Sequence, residues 1–191
     1  TSSSKLGFGA SRTMQIAQRL YQGIDIDGET VGLITYMRTD GTNISKDAIA
    51  TFRNFITQNY GEKYLPLSPL NYSGKKAKNA QEAHEAIRPT EISRVPEDMK
   101  KYLSTDQYKL YNLIWSRSLS SQMESAKFDR KTITITSEDK KNICKASGST
   151  LKFDGFLKVS RIDENKDDEN ILPEVDKGEV KFKDFTDEQH L

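Results

Sequence analysis

The chain has 191 residues, 35% of them hydrophobic and 30% charged; with a mean hydropathy of −0.73 it reads as one or two domains with a modest core and a generously exposed surface. No apolar run approaches the ~18 residues that cross a bilayer, and the N-terminus lacks a charged-then-apolar leader pattern, so a membrane or secreted protein is not expected and a cytoplasmic one is. A net charge of +1, from 29 basic and 28 acidic side chains, argues against a protein that coats polyanions indiscriminately; any nucleic-acid contact must be local.

The single cysteine, Cys144, can form neither an internal disulfide nor a thiolate metal cluster, which fits a reducing compartment and a small strand residue. Thr1 stands where a methionine would start a chain, which suggests a piece of something longer. Thr1 to Lys5 reads as a serine-rich lead-in. Ser11 is placed to cap a helix whose Met14, Ala17, Leu20 and Tyr21 recur at helical spacing, with Gly23 marking its end and its apolar face in the core. Gly7 and Gly9 make only G-x-G, with no third glycine and no preceding strand, so a nucleotide-binding loop is not expected. Asp25 to Glu29 reads as an acidic loop.

Leu33, Ile34, Thr35 and Tyr36 favour an extended strand, and Thr39-Asp40-Gly41-Thr42-Asn43 supplies turn residues that end it. In an extended segment Tyr36, Arg38 and Asp40 project from one face while Thr35, Met37 and Thr39 project from the other. That face carries a phenol, a fixed cation and a carboxylate. A phenolic oxygen can attack phosphorus, but with a pKa near 10 its ionisation at pH 7 costs roughly 4 kcal/mol. An arginine two residues away offsets part of that cost, because its planar fork holds two phosphate oxygens while charge develops on them. The bland alternative is a packed tyrosine with Arg38 paired to Asp40.

Ser45 reads as an N-cap with Asp47 in the first turn, and Ile49, Phe52, Phe55 and Ile56 form the apolar stripe of a helix that stops at Gly61. Residues 62–80, with Pro66, Pro69, Gly74 and the cluster Lys75, Lys76 and Lys78, form a surface loop; the lysines are a solvated face or a DNA-backbone contact. From Gln81 a short helix is expected to run up to Pro89, with Gln81, His84 and Arg88 on one face and Ala83 and Ile87 on another. Pro96 suits the first position of a helix through about Leu103. Ser104-Thr105-Asp106-Gln107 is a capping-box start for a long helix with a broad apolar face of Tyr108, Tyr111, Ile114, Trp115, Leu119 and Met123, which reads as core rather than as a stacking platform for bases.

Near Lys127 the period changes from helical to alternating. Thr132 to Thr136, Asn142 to Ser147, Lys152 to Arg161 and Glu179 to Phe185 read as strands. The fold class is therefore α+β, with a mainly helical domain over residues 1–125 and an antiparallel β-rich segment over 126–191. Asp163, Asn165, Asp167 and Glu174 mimic calcium-loop positions, but Asp168 stands where that loop needs glycine and no helices flank it, so this is a solvated acidic loop and no metal site is assigned. The tail Thr186 to Leu191 gives His190 no role.

Thr35-Tyr36-Met37-Arg38-Thr39-Asp40, followed by Gln81-Glu82-Ala83-His84-Glu85-Ala86-Ile87-Arg88-Pro89-Thr90, resembles the type IA DNA topoisomerases. Met37 between the tyrosine and arginine is similar to the bacterial topoisomerase I branch; the other branch usually has proline there. Leu6-Gly7-Phe8-Gly9, Ala17-Gln18-Arg19-Leu20-Tyr21 and Lys152-Phe153-Asp154-Gly155-Phe156 extend the resemblance through most of the chain. It implies that Tyr36 forms a transient 5′-phosphotyrosyl link to single-stranded or negatively supercoiled DNA, with Arg38 stabilising the phosphorus centre and Asp40, His84 and Arg88 binding DNA or supporting the site. It also implies a central fragment. The missing parts are an N-terminal Toprim domain, which holds Mg²⁺, and C-terminal DNA-binding regions of the same polypeptide. Residues 1–125 would be the tyrosine-bearing helical domain and 126–191 part of the strand-rich arch. Such a fragment is expected to be inactive by itself. Gly41 departs from the family's usual serine and puts a side-chain hydrogen bond there in doubt.

Two rival readings remain at this point. Tyrosine recombinases and type IB topoisomerases also use Tyr, Arg and His, but their tyrosine follows those elements, whereas Tyr36 precedes His84 and Arg88. A non-catalytic single-stranded nucleic-acid-binding module would use Tyr36 only to stack on a base.

Overall fold

A computed structural model describes residues 1–38, 41–72 and 85–160, together with Leu172 and Gly178. These residues fall into two compact units: one takes in Thr1–Ala126 and the described residues 154–160, the other Lys127–Phe153. The chain leaves the first unit after Ala126 and is back in it at Asp154. Mixed helices and antiparallel strands make the fold α+β.

The first unit opens with two helices, α1 (Ser2–Leu6) and α2 (Ala10–Gln22). The serine-rich lead-in is thus helical. Ser11 is not the cap: the helix begins two residues earlier than such a cap would give, with Gly9 at the N-cap and the Thr13 amide donating to the Gly9 carbonyl at 3.0 Å. Ile16, Ala17 and Leu20 are its buried stripe. The acidic stretch is a tight antiparallel hairpin, β1 (Ile24–Ile26) and β2 (Glu29–Val31), rather than a loop. Asp27 and Gly28 turn it with φ of 53° and 93°, the pair of left-handed conformations that suits the twist of a two-residue hairpin loop.

Helix α3 (Lys46–Tyr60) is capped as the sequence suggests, its Ser45 hydroxyl accepting from the Ala48 amide at 3.4 Å, and Ala48, Ile49, Phe52 and Ile56 are buried. After a 3₁₀ turn at Glu62–Tyr64, α4 (Pro96–Met99) starts on Pro96 but ends four residues earlier than expected. Helix α5 (Thr105–Ser120) carries the full capping box: the Gln107 amide donates to the Ser104 hydroxyl, and the Ser104 amide donates to the Gln107 side chain.

The core is built around α5. Leu110, Tyr111, Leu113, Trp115 and Leu119 are buried, while Tyr108 and Ile114 lie at its margin. Tyr111 Oη donates to the Arg94 carbonyl at 2.7 Å and Trp115 Nε1 to the Ile92 carbonyl at 2.9 Å, so each buried aromatic has a partner for its polar atom. Rings buried in this way cannot stack on bases. Gln122, also buried, pairs both ways with the Leu70 backbone. Past the strands, α6 (Leu157–Ser160) follows Gly155, where a Cβ would lie 2.5 Å from the Glu124 carbonyl oxygen.

The second unit is a long antiparallel ribbon of β3 (Lys127–Thr136) and β4 (Ile143–Phe153), registered from Thr136 opposite Ile143 to Lys127 opposite Phe153, with an irregularity at Lys127/Phe128. The strands expected at Asn142 to Ser147 and from Lys152 are one strand, because β4 runs unbroken between them. What was expected as strand from Asp154 to Arg161 is a turn and then α6 over its described part. Cys144 lies exposed on β4. Glu179 to Phe185, the loop from Asp163, and Lys75, Lys76 and Lys78 lie outside the described residues.

Candidate active site

Leu33–Tyr36 forms only an isolated bridge, Ile34 opposite Pro89, with a bend at Thr35, rather than a strand. Ile34 and Pro89 face each other at a non-hydrogen-bonded position, where the amide that proline lacks would point away from the pairing, and the Arg88 amide goes to the Thr35 hydroxyl rather than to its carbonyl, so no ladder extends from the bridge. The flanking bonds carry the pairing instead. Thr35 N–H donates to the Arg88 carbonyl at 2.9 Å and Thr90 N–H to the Leu33 carbonyl at 3.1 Å. Thr35 Oγ1 donates to the Ala86 carbonyl at 2.9 Å and accepts from the Arg88 amide at 3.0 Å. On the other side, Leu33 N–H donates to the Leu20 carbonyl of α2 at 2.8 Å.

The expected helix up to Pro89 is absent over its described part. Glu85 is paired in parallel with Asn43, and the Ala86 amide donates to the Asn43 carbonyl at 2.8 Å. Amides committed across the chain in this way are not available for bonds to the fourth residue back. Residues 85–90 therefore act as a brace along the tyrosine segment.

Burial does not alternate strictly along the tyrosine segment, because the chain bends at Thr35, Met37 and Arg38. Leu33 and Ile34 are buried and Met37 is 7% exposed, whereas Tyr36 is 51% exposed and Arg38 is exposed. Among the described residues neither the Tyr36 hydroxyl nor the Arg38 guanidinium has a hydrogen-bond partner. A phenol and a fixed cation thus stand two residues apart on the solvent side, anchored by the apolar side chain between them. This arrangement suits a phosphate diester, whose oxygens the guanidinium can hold while the phenolic oxygen approaches phosphorus. Asp40 and His84, the other two polar groups expected here, lie outside the described residues.

Arg88 is placed differently. Its Nε and Nη2 donate to the two oxygens of Glu85 at 2.7 and 3.2 Å, its Nη1 donates to the Pro89 carbonyl at 2.9 Å, and its side chain is 15% exposed. Glu85 in turn accepts the Ser45 amide at 3.0 Å, linking this pair to the start of α3. Partial burial pushes the Glu85 carboxyl up, but the Arg88 hydrogen bond, the Ser45 amide and the Arg88 charge outweigh it and hold the carboxyl below its ordinary range.

Three participants were not singled out from sequence. Thr35 reads there as a mere β-former, and its bifunctional hydroxyl shows only when segment 85–90 is alongside. Glu85 is charged in a motif already crowded with polar residues. Tyr21, placed with the core stripe of α2, is 42% exposed and lays its ring against Tyr36, centroids 5.4 Å apart at 69°. Among the described residues no three carboxylate, imidazole or thiolate groups converge as a metal site.

A tyrosine and arginine presented by a braced segment of a helical unit suit a phosphodiester. The chain belongs to the DNA topoisomerase family, whose model matches residues 1–190. DNA topoisomerase 1 of Rickettsia felis is 53% identical, over 98% of this chain and 24% of that protein, and its counterpart in Rickettsia bellii is 52% identical over the same shares. Full-length topoisomerase I from Thermotoga maritima has a similar structure, with a TM-score of 0.72 and 40% identity over 86% of this chain and 26% of that one. The chain thus spans about a quarter of the length of the curated relatives it matches.

Proposed function

We propose that this chain supplies the nucleophile of a type IA DNA topoisomerase. Tyr36 Oη attacks the phosphorus of a single-stranded phosphodiester, giving up its proton as the P–O bond to the 3′-oxygen breaks and that oxygen leaves as a hydroxyl. The product is a 5′-phosphotyrosyl link. Because an aryl phosphodiester replaces an alkyl one, the free 3′-hydroxyl reverses the reaction without ATP. Passage of another strand through the gap before rejoining changes the linking number in steps of one and relaxes negative supercoils.

The observation that carries this reading is the joint exposure of Tyr36 and Arg38 on either side of buried Met37. Arg38 stabilises the charged phosphorus centre. Asp40 and His84 orient or support it, and Arg88, held by Glu85, stiffens the brace. The family resemblance assigns Mg²⁺ to a Toprim domain elsewhere in the same polypeptide. DNA and the remaining domains of that polypeptide are the partners. The setting is the bacterial cytoplasm; among the described residues no helix is long and apolar enough to cross a membrane.

The paired exposed rings of Tyr21 and Tyr36 also suit a base-stacking surface without chemistry, and one experiment separates the two. The chain is mixed with a Toprim-containing segment, Mg²⁺ and an oligonucleotide labelled at either end, and a denaturant-stable adduct is sought. The expected result is a 5′-linked adduct that needs both segments and disappears in Tyr36→Phe. A 3′-linked adduct, or none from segments shown to associate, would overturn the assignment; binding that survives Tyr36→Phe without any adduct would favour the stacking module.

A further inference from the structure

Among the described residues, Tyr21 carries the one ring in contact with Tyr36. The contact is set by backbone geometry that does not involve the rings. Leu20 is fully buried and anchors the last turn of α2, and its carbonyl accepts the Leu33 amide three residues before Tyr36. At Gly32 the chain passes so close to this turn that a Cβ would lie 2.7 Å from the Tyr21 carbonyl oxygen. Glycine permits that approach, and the approach delivers Tyr21 to the flank of Tyr36.

The stripe that anchors α2 is Ile16, Ala17 and Leu20, so Tyr21 is not needed to hold the helix in the core. Its ring instead meets Tyr36 near the edge-to-face arrangement that aromatic pairs favour, with both rings about half exposed. A half-exposed side chain samples several staggered rotamers. In-line attack at phosphorus requires the phenolic oxygen in one direction, opposite the leaving oxygen.

We propose that Tyr21 is a positioning residue, whose ring holds the Tyr36 side chain in the rotamer from which its oxygen attacks phosphorus. This rests on Tyr36 being the nucleophile. Tyr21 acts through its ring, so its hydroxyl is dispensable.

The test uses the full-length enzyme containing this chain, as Tyr21→Leu, Tyr21→Phe and Tyr36→Phe, with a saturating single-stranded oligonucleotide. Single-turnover adduct formation, oligonucleotide affinity and thermal midpoint are measured together. Tyr21→Leu is expected to slow adduct formation about two- to twelve-fold, the range an aromatic pair of this kind is worth. Affinity and thermal midpoint stay at the unsubstituted values, and Tyr21→Phe restores the rate. An unchanged Tyr21→Leu rate while the adduct still requires Tyr36 would overturn the positioning role and leave the nucleophile assignment standing. A lowered affinity with unchanged saturating rate would overturn it in favour of base stacking, and a rate loss that merely follows the thermal midpoint would reduce Tyr21 to a structural part. Absence of any Tyr36-dependent adduct in the unsubstituted enzyme would overturn both assignments together.

Discussion

Glu85 joins pieces of backbone that are distant in sequence: the start of α3 through the Ser45 amide, and the brace beside Tyr36 through Arg88. Its folded-state pKa lies below the ordinary value, so the folded protein binds a proton there less readily than the unfolded chain. The sign follows from that difference. The stabilisation is fully present above the ordinary carboxylate range, and it is lost as pH falls through the lower folded-state value. With 32% of the Glu85 side chain exposed, solvent screens the pair and the effect is modest. In Glu85→Gln the urea midpoint is expected to fall less steeply between about pH 5 and pH 3 than in the unsubstituted chain. Superimposable acid limbs for the two proteins would show that the pair contributes nothing to the brace.

At the scale of elements, local caps decide where helices start. Ser104 and Gln107 satisfy two orphan amides reciprocally at the start of α5, the helix around which the core is built. Ser104→Ala is therefore expected to lower unfolding stability by about 1 kcal/mol, read from urea denaturation, the ordinary value of such a cap. A loss within experimental error would mean that tertiary packing alone sets this end of α5. The starts of α3 and α5 and the Gly23 and Gly61 stops were legible because caps act between residues a few positions apart. The start of α2 was not, since Gly9 caps it without a side chain while Ser11 resembles a better cap. Leu33–Tyr36 and Glu85–Arg88 were misjudged for one shared reason: their hydrogen bonds go to distant parts of the chain, to each other through Thr35 and Arg88 and otherwise to Leu20 and Asn43, and neither a strand period nor a helix period reports that pairing.

For the whole molecule, the two units differ in how their backbone bonds are protected. The α5 amides lie within a multi-helix core, whereas among the described residues the β3–β4 ribbon has two strands, exposed along most of both. A two-stranded ribbon is marginal without further strands or a covering helix. Native-state hydrogen exchange of this 191-residue chain is expected to show the β3–β4 amides opening at lower free energy than those of α5. Equal protection in the two units would show instead that they unfold as one.

The sequence by itself determined the family resemblance, the α+β character, the apolar stripes of α2, α3 and α5, and the alternation that puts Tyr36 and Arg38 on the opposite side from Met37. All of these depend on residue type and short-range spacing. Only the tertiary structure decided that segment 85–90 is an extended brace, that Arg88 is engaged by Glu85, and that Tyr21 leaves the core to touch Tyr36. Each of those depends on an approach between distant parts of the chain, made close by Thr35 and Gly32 among others, and such approaches leave no period in a sequence.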